Sequence, residues 1–481
     1  MSEYLYRFRP VKRLLESEIE HLTLYFAAPD QLNDPLEGRK NIFWQGDEIV
    51  WKNLFKHYIR CLALKLRDIT TESYSPTIPT TLDWGRLPDD MKVIEQRALA
   101  MFFDDEITSK FIKLLSSSNR KIYEDELLTY LYACHQFALH CCCKAYVDAG
   151  VLVLDLSAGE SFQSERKIRL NQLIDGLNIL SSASEEVAES IRGGYDDMRF
   201  AADQINLFSF MNKEALDNNI QKTLHFLQVH FTRTYVKALE QLMYPDWYVA
   251  CFMSECEDSS IWGTYGADHK SVCLKFKPGK TAENFTMELK PPQGYPEPAQ
   301  DWVFKLQPVS YEPEFAEYNF FECIANIPQR MSLNDWYTDN GKTSPIQNWM
   351  IPEKFSIQKY NSAFNVSVTE KLNAWKHENE HRAVLTPFAN ISDPKHRVFH
   401  YSFDALDGII FGIKTSEEDK KSLIQKFSPH IARSQRTDFN FYQAYFDRET
   451  KTIRHKRMEL LSTLLNSSPA DFIDKSPESE K

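Results

Sequence analysis

Strand-like patterning occurs at both ends of this chain, and a long helical pattern separates the two parts. Residues 1–45 read as strand, helix, strand. "YLYRF" alternates, "VKRLLESEIEHL" keeps its leucines on one face, and "TLYFAAP" runs into the turn-rich "DQLNDPLEG". Residues 50–245 instead carry apolar residues at three- and four-residue spacing, as in "EDELLTYLYACHQFALHCCCKAYV" and "NIQKTLHFLQVHFTRTYVKALEQLM". Strand patterns return with "WYVACFM", "SVCLKF", "FKLQPVSYE", "HRAVLTPF", "DGIIFGIK" and "FNFYQAYFD". Strands on both sides of such a block share one core only if the block is an insertion.

The expectation is therefore an α+β protein with a discontinuous, small mixed β-sheet core and a large inserted helical block. Residues 1–45 form the N-terminal part of the core, 46–246 the block, and 247–464 the main part of the core. Residues 465–481 lack apolar periodicity and read as a disordered tail. "VLVLDLSAGES" reads as a short strand or an extended connection, and 313–365 as an irregular, aromatic surface excursion with one or two helices. Ser416 is placed to cap the helix of "SEEDKKSLIQKF".

Composition narrows the function classes. A formal net charge of −12 does not suit bulk electrostatic binding of nucleic acid or an anionic membrane. The basic stretch "RETKTIRHKRMELL" reads as a solvated helix face. Only 15 glycines are present, without G-x-G-x-x-G or G-x-S-x-G, which argues against a Rossmann dinucleotide loop and a serine-hydrolase elbow. No apolar run reaches the length of about 18 residues that suggests a membrane span. No apolar signal region follows the N-terminus, and nine cysteines, an odd number, suit a reducing compartment, so a cytoplasmic location is expected. Cys134, His135, His140 and Cys141 to Cys143 share one helical pattern and cannot all converge; no C-x-x-C pair exists, so core packing is expected and no metal.

The chemistry concentrates in three segments. In "KLNAWKHENEHRAVL", Glu378, Glu380 and Arg382 lie two apart, and on a strand they would share one face. Such a set is either a solvated face with a local ion pair or the edge of an active site. In "NDPLE", Asn33, Asp34 and Pro35 are strong turn formers; the functional reading sets Asn33, Asp34 and Glu37 on a loop rimming a pocket. In "WGTYGADH", Trp262, Tyr265 and His269 are spaced for one face of a helix capped by Ser259 or Ser260, which suits core packing as well as a site.

The order of these segments resembles a known pattern. "YRF" at Tyr6 to Phe8, "LYFAAPDQLNDPLE", "CFMSECEDSSIWGTYGADHKSVCLKF", "KLNAWKHENEHRAVL" and "GIIFGIKTSEEDKKSLIQ" together resemble the bacterial family called domain of unknown function 2971. Leu32, Met253 and Ser271 depart from it, the last standing where the family has Gly, which questions a close backbone approach there. The resemblance covers the core and leaves out the helical block. It implies no agreed activity, only a frequent association with antiphage defence and mobile elements.

Residue order is also similar to that of the ADP-ribosyltransferase superfamily: a basic residue on the first strand, a serine ending a central strand, then a glutamate. That similarity implies an ADP-ribosyltransferase-like fold for the core, with Glu380 as catalytic carboxylate, Glu378 as its partner, Arg7 on a pyrophosphate, and Ser254 at the pocket floor. Tyr6 or Tyr265 would stack on nicotinamide, with Arg382 among the binding residues; in the ion-pair reading Arg382 merely answers Glu380. Two functions are carried forward. One is an NAD- or nucleotide-dependent transferase or glycohydrolase with a defence or toxin role, taking a nucleotide-type small molecule, with NAD as substrate. The other is a non-catalytic module whose helical block binds a protein partner. The first brings Arg7, Ser254 and Glu380 around one cleft; the second leaves Glu378 and Glu380 in bulk water.

Overall fold

The computed structural model describes residues 3–34, 36–38, 40–117, 120–153, 157–182, 185–211, 218–282, 284–297, 302–312, 317–350, 357–387 and 389–468. Contacts divide the chain into two compact units: Met1–Arg39, Asp246–Phe315 and Ala363–Lys481 form the first, Lys40–Pro245 and Ala316–Ser362 the second.

The first unit contains strands β1 (Leu5–Arg9), β2 (Thr23–Tyr25), β3 (Tyr248–Met253), β4 (Val272–Phe276), β5 (Gly279–Lys280), β6 (Phe285–Lys290) and β7 (Trp302–Pro308). It continues with β8 (Ser310–Glu312), β9 (Glu370–Leu372), β10 (Glu380–Leu385), β11 (Val398–Tyr401), β12 (Leu406–Phe411), β13 (Asn440–Asp447) and β14 (Thr452–Arg457). One open, mixed, 12-stranded sheet runs β14-β13-β12-β4-β1-β3-β10-β7-β6-β11-β2, with β5 beside β6. Within it β12 and β13 are parallel. Outside it β8 and β9 pair in parallel.

The sheet is therefore not small. β6, β11 and β14 add strands that the pattern does not announce. In β14 only Ile453 is buried, so the basic stretch taken for a helix face is an edge strand with its charges in solvent.

Alternation sets the two faces of the sheet. Leu5, Ala250, Phe252, Leu274 and Ile409 point to the larger core. Tyr6, Phe8, Met253, Cys273 and Ile410 point to a smaller core on the other side. The larger core is covered in part by helix Glu417–Ser434 through Leu423, Phe427 and Ile431. Ser416 caps this helix as expected, its hydroxyl accepting the Asp419 N–H at 3.1 Å. Ser271 is compatible with the close approach questioned above because the glycine is on the other side of it. A Cβ on Gly412 would meet the Ser271 carbonyl oxygen at 2.6 Å and that of His269 at 2.4 Å.

The tail does not begin at Leu465. Helix Glu459–Ser467 carries it, and its side chain lies fully buried in the larger core. A single anchoring leucine leaves too little periodicity to read from sequence; residues 469–481 lie outside the described residues.

The second unit is mainly helical. Asp47 starts helix Glu48–Thr70 by accepting the Ile49 and Val50 N–H groups at 2.8 and 3.2 Å. Helix Glu124–Asp148 buries Cys134, Cys141 and Cys142 as free thiols. The Tyr58 hydroxyl joins His135 Nδ1 and Thr232 Oγ1, both at 2.7 Å. Where it is described, the 313–365 segment is not merely a surface excursion. Trp336 and Tyr337 are buried, and Asn53 Nδ2 donates to the Trp336 and Thr338 carbonyls at 2.9 and 3.1 Å. Of "VLVLDLSAGES", residues 154–156 lie outside the described residues, and helix Ser157–Ser182 begins within it. Among the described residues no helix is long and apolar enough to cross a membrane.

Truncating the last anchor tests the C-terminal correction. Leu465→Ala is expected to lose about 2–5 kcal/mol in urea unfolding, as buried leucines do, whereas a disordered segment would lose nothing.

Candidate functional site

The site forms where β1, β3 and β10 lie side by side. Tyr6 is opposite Met253, and Met253 is opposite Glu380, so these three form one row across the sheet; Cys251 is opposite Arg382. Being two apart on β10, Glu380 and Arg382 share a face, as expected. Glu378 does not belong to the strand. It ends a short 3-10 turn, and Asn379 follows in a left-handed conformation (φ 44°, ψ 51°). The kink, rather than strand periodicity, brings Glu378 back to its neighbours.

A chain of hydrogen bonds joins the three sequence segments. Asn33 Nδ2 donates to the Tyr265 hydroxyl (2.7 Å), which donates to Glu378 Oε1 (2.5 Å). Lys371 Nζ donates to Glu378 Oε2 (2.7 Å) and Glu380 Oε2 (3.3 Å). Arg382 donates from Nε to Glu380 Oε1 (2.9 Å), from Nη2 to Glu380 Oε2 (3.1 Å) and to Glu37, and from Nη1 to the Val368 carbonyl (2.7 Å). Exposure of these charged side chains is between 0 and 4%, so the solvated-face reading is overturned. Five charges this deep persist only when paired.

The charged pairs are unequal. Burial works against the Lys371 ammonium, but Glu380 and Glu378 outweigh it and hold its pKa above the ordinary lysine value. Glu380 is held above the ordinary carboxylate value, first by burial and then by the charge of Glu378, against the pull of Lys371. Burial lowers Arg382 to about 9, which leaves it charged at neutral pH.

These groups line a cleft of about 670 Å³. β1 and β3 make only one register pair, at Tyr6 and Met253, before they separate. The chain after β2 enters the gap, where Ala27 bridges to Val249. Arg7 fills what remains: its Nη1 donates to the Cys251 carbonyl at 2.8 Å and Nη2 to that of Tyr25 at 3.4 Å. The guanidinium takes the place of missing ladder bonds and faces the cleft. Burial, aided by the charge of Arg9, lowers Arg7 to about 10.

Of the residues singled out from sequence, Tyr6, Arg7, Asn33, Tyr265, Glu378, Glu380 and Arg382 line this cleft, as does Glu37. Asp34, Ser254, Trp262 and His269 do not. Asp34 is buried and turns the loop by accepting the Leu36 N–H at 2.9 Å. Ser254 donates from N and Oγ to the Asn379 carbonyl at 3.0 and 3.2 Å, pinning the kink behind Glu378 instead of forming a floor. Trp262 packs edge-on against Phe8 and donates Nε1–H to the Cys256 carbonyl at 2.8 Å. His269 is not on the helix. Helix Ser259–Thr264 is capped by Asp258 and is followed by three left-handed residues, Ala267, Asp268 and His269.

Lys371 and Tyr311 are candidate functional residues that do not stand out in the sequence. Lys371 stands on β9 beside Tyr311 of β8, over the Trp375 ring at 4.8 Å. Its K-x-x-x-W spacing ahead of Glu378 was the available signal. The Tyr311 hydroxyl accepts the Glu380 N–H at 2.8 Å, a role no motif announces. Among the described residues no group of three His, Cys, Asp or Glu side chains is arranged to hold a metal ion.

Lys371→Met is expected to cost about 3–5 kcal/mol at neutral pH by leaving buried carboxylates without their shared cation. Without the ammonium, the folded-state pKa of Glu380 rises further above its unfolded value. The deficit therefore shrinks as pH falls and grows as pH rises, a trend readable from urea unfolding at two pH values.

A family model described as "Protein of unknown function (DUF2971)" matches residues 261–383. That stretch takes in Tyr265, Lys371, Glu378, Glu380 and Arg382, whereas Arg7, Asn33 and Glu37 precede it. No curated protein and no solved structure matches the chain. The matched segment and the order of the motifs support the resemblance to the DUF2971 family.

Proposed function

We propose that the cleft binds a nucleotide-type small molecule, NAD first among them, and cleaves or transfers at its ribose. The observation that carries this is that Arg7, Glu378 and Glu380 all line one cleft. Arg7 makes no ion pair among the described residues, so its charge is available to a phosphate oxygen. In this reaction the ribose–nicotinamide bond breaks with its electron pair going to the ring, which leaves neutral. Glu380, kept in place by Arg382 and Lys371, faces the cationic sugar carbon. Water or an acceptor hydroxyl adds to that carbon and gives its proton to Glu378. Tyr6, in the row with Glu380, offers a ring face to the leaving group. This reading rests on the chemistry of the cleft and the order of its residues; a resemblance of the whole fold to ADP-ribosyltransferases is not needed for it.

A second reading concerns the helical unit. Phe200, Leu207 and Met211 on helix Glu185–Met211 are 67%, 60% and 73% exposed and lie at spacings that share a face, which supports a protein partner there. Leu207→Asp is then expected to leave nicotinamide release unchanged and to abolish complex formation. Loss of release instead would assign that face to the enzyme.

Nicotinamide release from NAD by the purified chain tests the main reading. The wild type is expected to release it, Glu380→Gln to lose activity by about 100-fold or more, and Arg7→Met to raise KM. The charged form of Glu380 does the work and its pKa is raised, so the rate falls with decreasing pH through a value above the ordinary glutamate pKa of about 4.3. No release by the wild type, with no rise in Tm on adding NAD, would overturn the proposal.

A further inference from the structure

We infer that the cleft selects nucleotides bearing a positively charged heterocycle, and that Glu37 supplies the negative charge that selects them; this rests on the nucleotide reading above. The hydrogen-bonded cluster holds three carboxylates, Glu37, Glu378 and Glu380, against two cations, Lys371 and Arg382. Among the described residues one negative charge is in excess. The other described ionisable groups around it do not cancel that excess. Burial holds the Tyr265 and Tyr311 phenols and the Cys251 thiol in their neutral forms, and Asp34, buried beside Arg382, adds a further negative field.

Glu37 locates the excess. Its Oε1 accepts from Arg382, whereas its Oε2 is buried and accepts no hydrogen bond among the described residues, with Lys371 Nζ 3.6 Å away in an ion pair. A buried carboxylate oxygen without a donor is costly, and a proton or a ligand cation relieves it. Glu37 lines the cleft, so a ligand can do so. The same cleft presents the opposite charge elsewhere on its wall. Glu18 neutralises Arg9, but Arg7 and the exposed Arg13 make no ion pair among the described residues. A wall with spare cations and a buried spare anion matches a molecule with anionic phosphates and one cationic ring. Oxidised NAD has both; its reduced form keeps the phosphates and has a neutral ring. When the cationic ring binds, the proton that relieves the empty cluster is released.

Titration calorimetry of the full chain at pH 7.5 tests this, in two buffers of different ionisation enthalpy. The probes are carbocyclic NAD+, whose ring–sugar bond resists hydrolysis, and NADH. The oxidised probe is expected to bind about tenfold tighter, with proton release. Glu37→Gln is expected to bring the two affinities together, its fold checked by circular dichroism. The wild-type comparison stands without the variant. Equal affinities with no proton release would overturn this inference and leave the nucleotide reading intact. Binding of neither probe would overturn both.

Discussion

Lys371 is the interaction on which the rest of the site depends. Its ammonium lies between Glu378 and Glu380, 2.7 and 3.3 Å from their oxygens, with Glu37 just beyond. Carboxylates that close repel one another strongly in a medium of low dielectric constant. Without a cation between them the kink at Asn379 would present a second negative charge to β10 rather than complete a cluster. Arg382 does the complementary work from within the strand, tying Glu380 to Glu37 on a different loop. The two cations join Glu37 to the segments 370–372 and 378–382.

The opposite wall has a different origin. Sheets are continuous unless something occupies the ladder, and here β1 and β3 separate after one register pair. Arg7 satisfies the Cys251 and Tyr25 carbonyls that the separation leaves behind. The same side chain thus pays for the opening and charges it. An arginine suits this use because it keeps its charge when buried and has more N–H donors than the two carbonyls consume. The cleft consequently has a structural reason for existing that is independent of any ligand, and its chemistry follows from the residues that keep it open.

Much of the cleft was legible in sequence because its residues come in short motifs. Glu380 and Arg382 are two apart on a real strand, and Asn33, Glu37 and Tyr265 lie in segments whose turn or helical spacing stands out. Their partners were less visible. Lys371 and Tyr311 meet through a two-stranded parallel pair, β8 and β9, whose members are far apart in the chain. Trp262 and His269 show the limit of spacing arguments. A helical interval of seven links them, but the helix ends at Thr264, and the left-handed residues that follow turn His269 away. Periodicity describes a side chain's direction only while the backbone conformation lasts.

By itself the sequence determined the mixed helix and strand content, the interruption of the sheet-forming segments by a helical block, the Ser416 cap and the family resemblance. These depend on local patterns of burial and hydrogen bonding, which neighbouring residues encode. Only the tertiary structure decided the extent of the sheet, the burial of Leu465, the kink that returns Glu378, and the pairing of three buried carboxylates with Lys371 and Arg382. Each of these depends on contacts between residues distant in the chain. A glutamate in a sequence carries the same formal charge whether it faces water or a lysine, and packing alone determines which neighbour it meets.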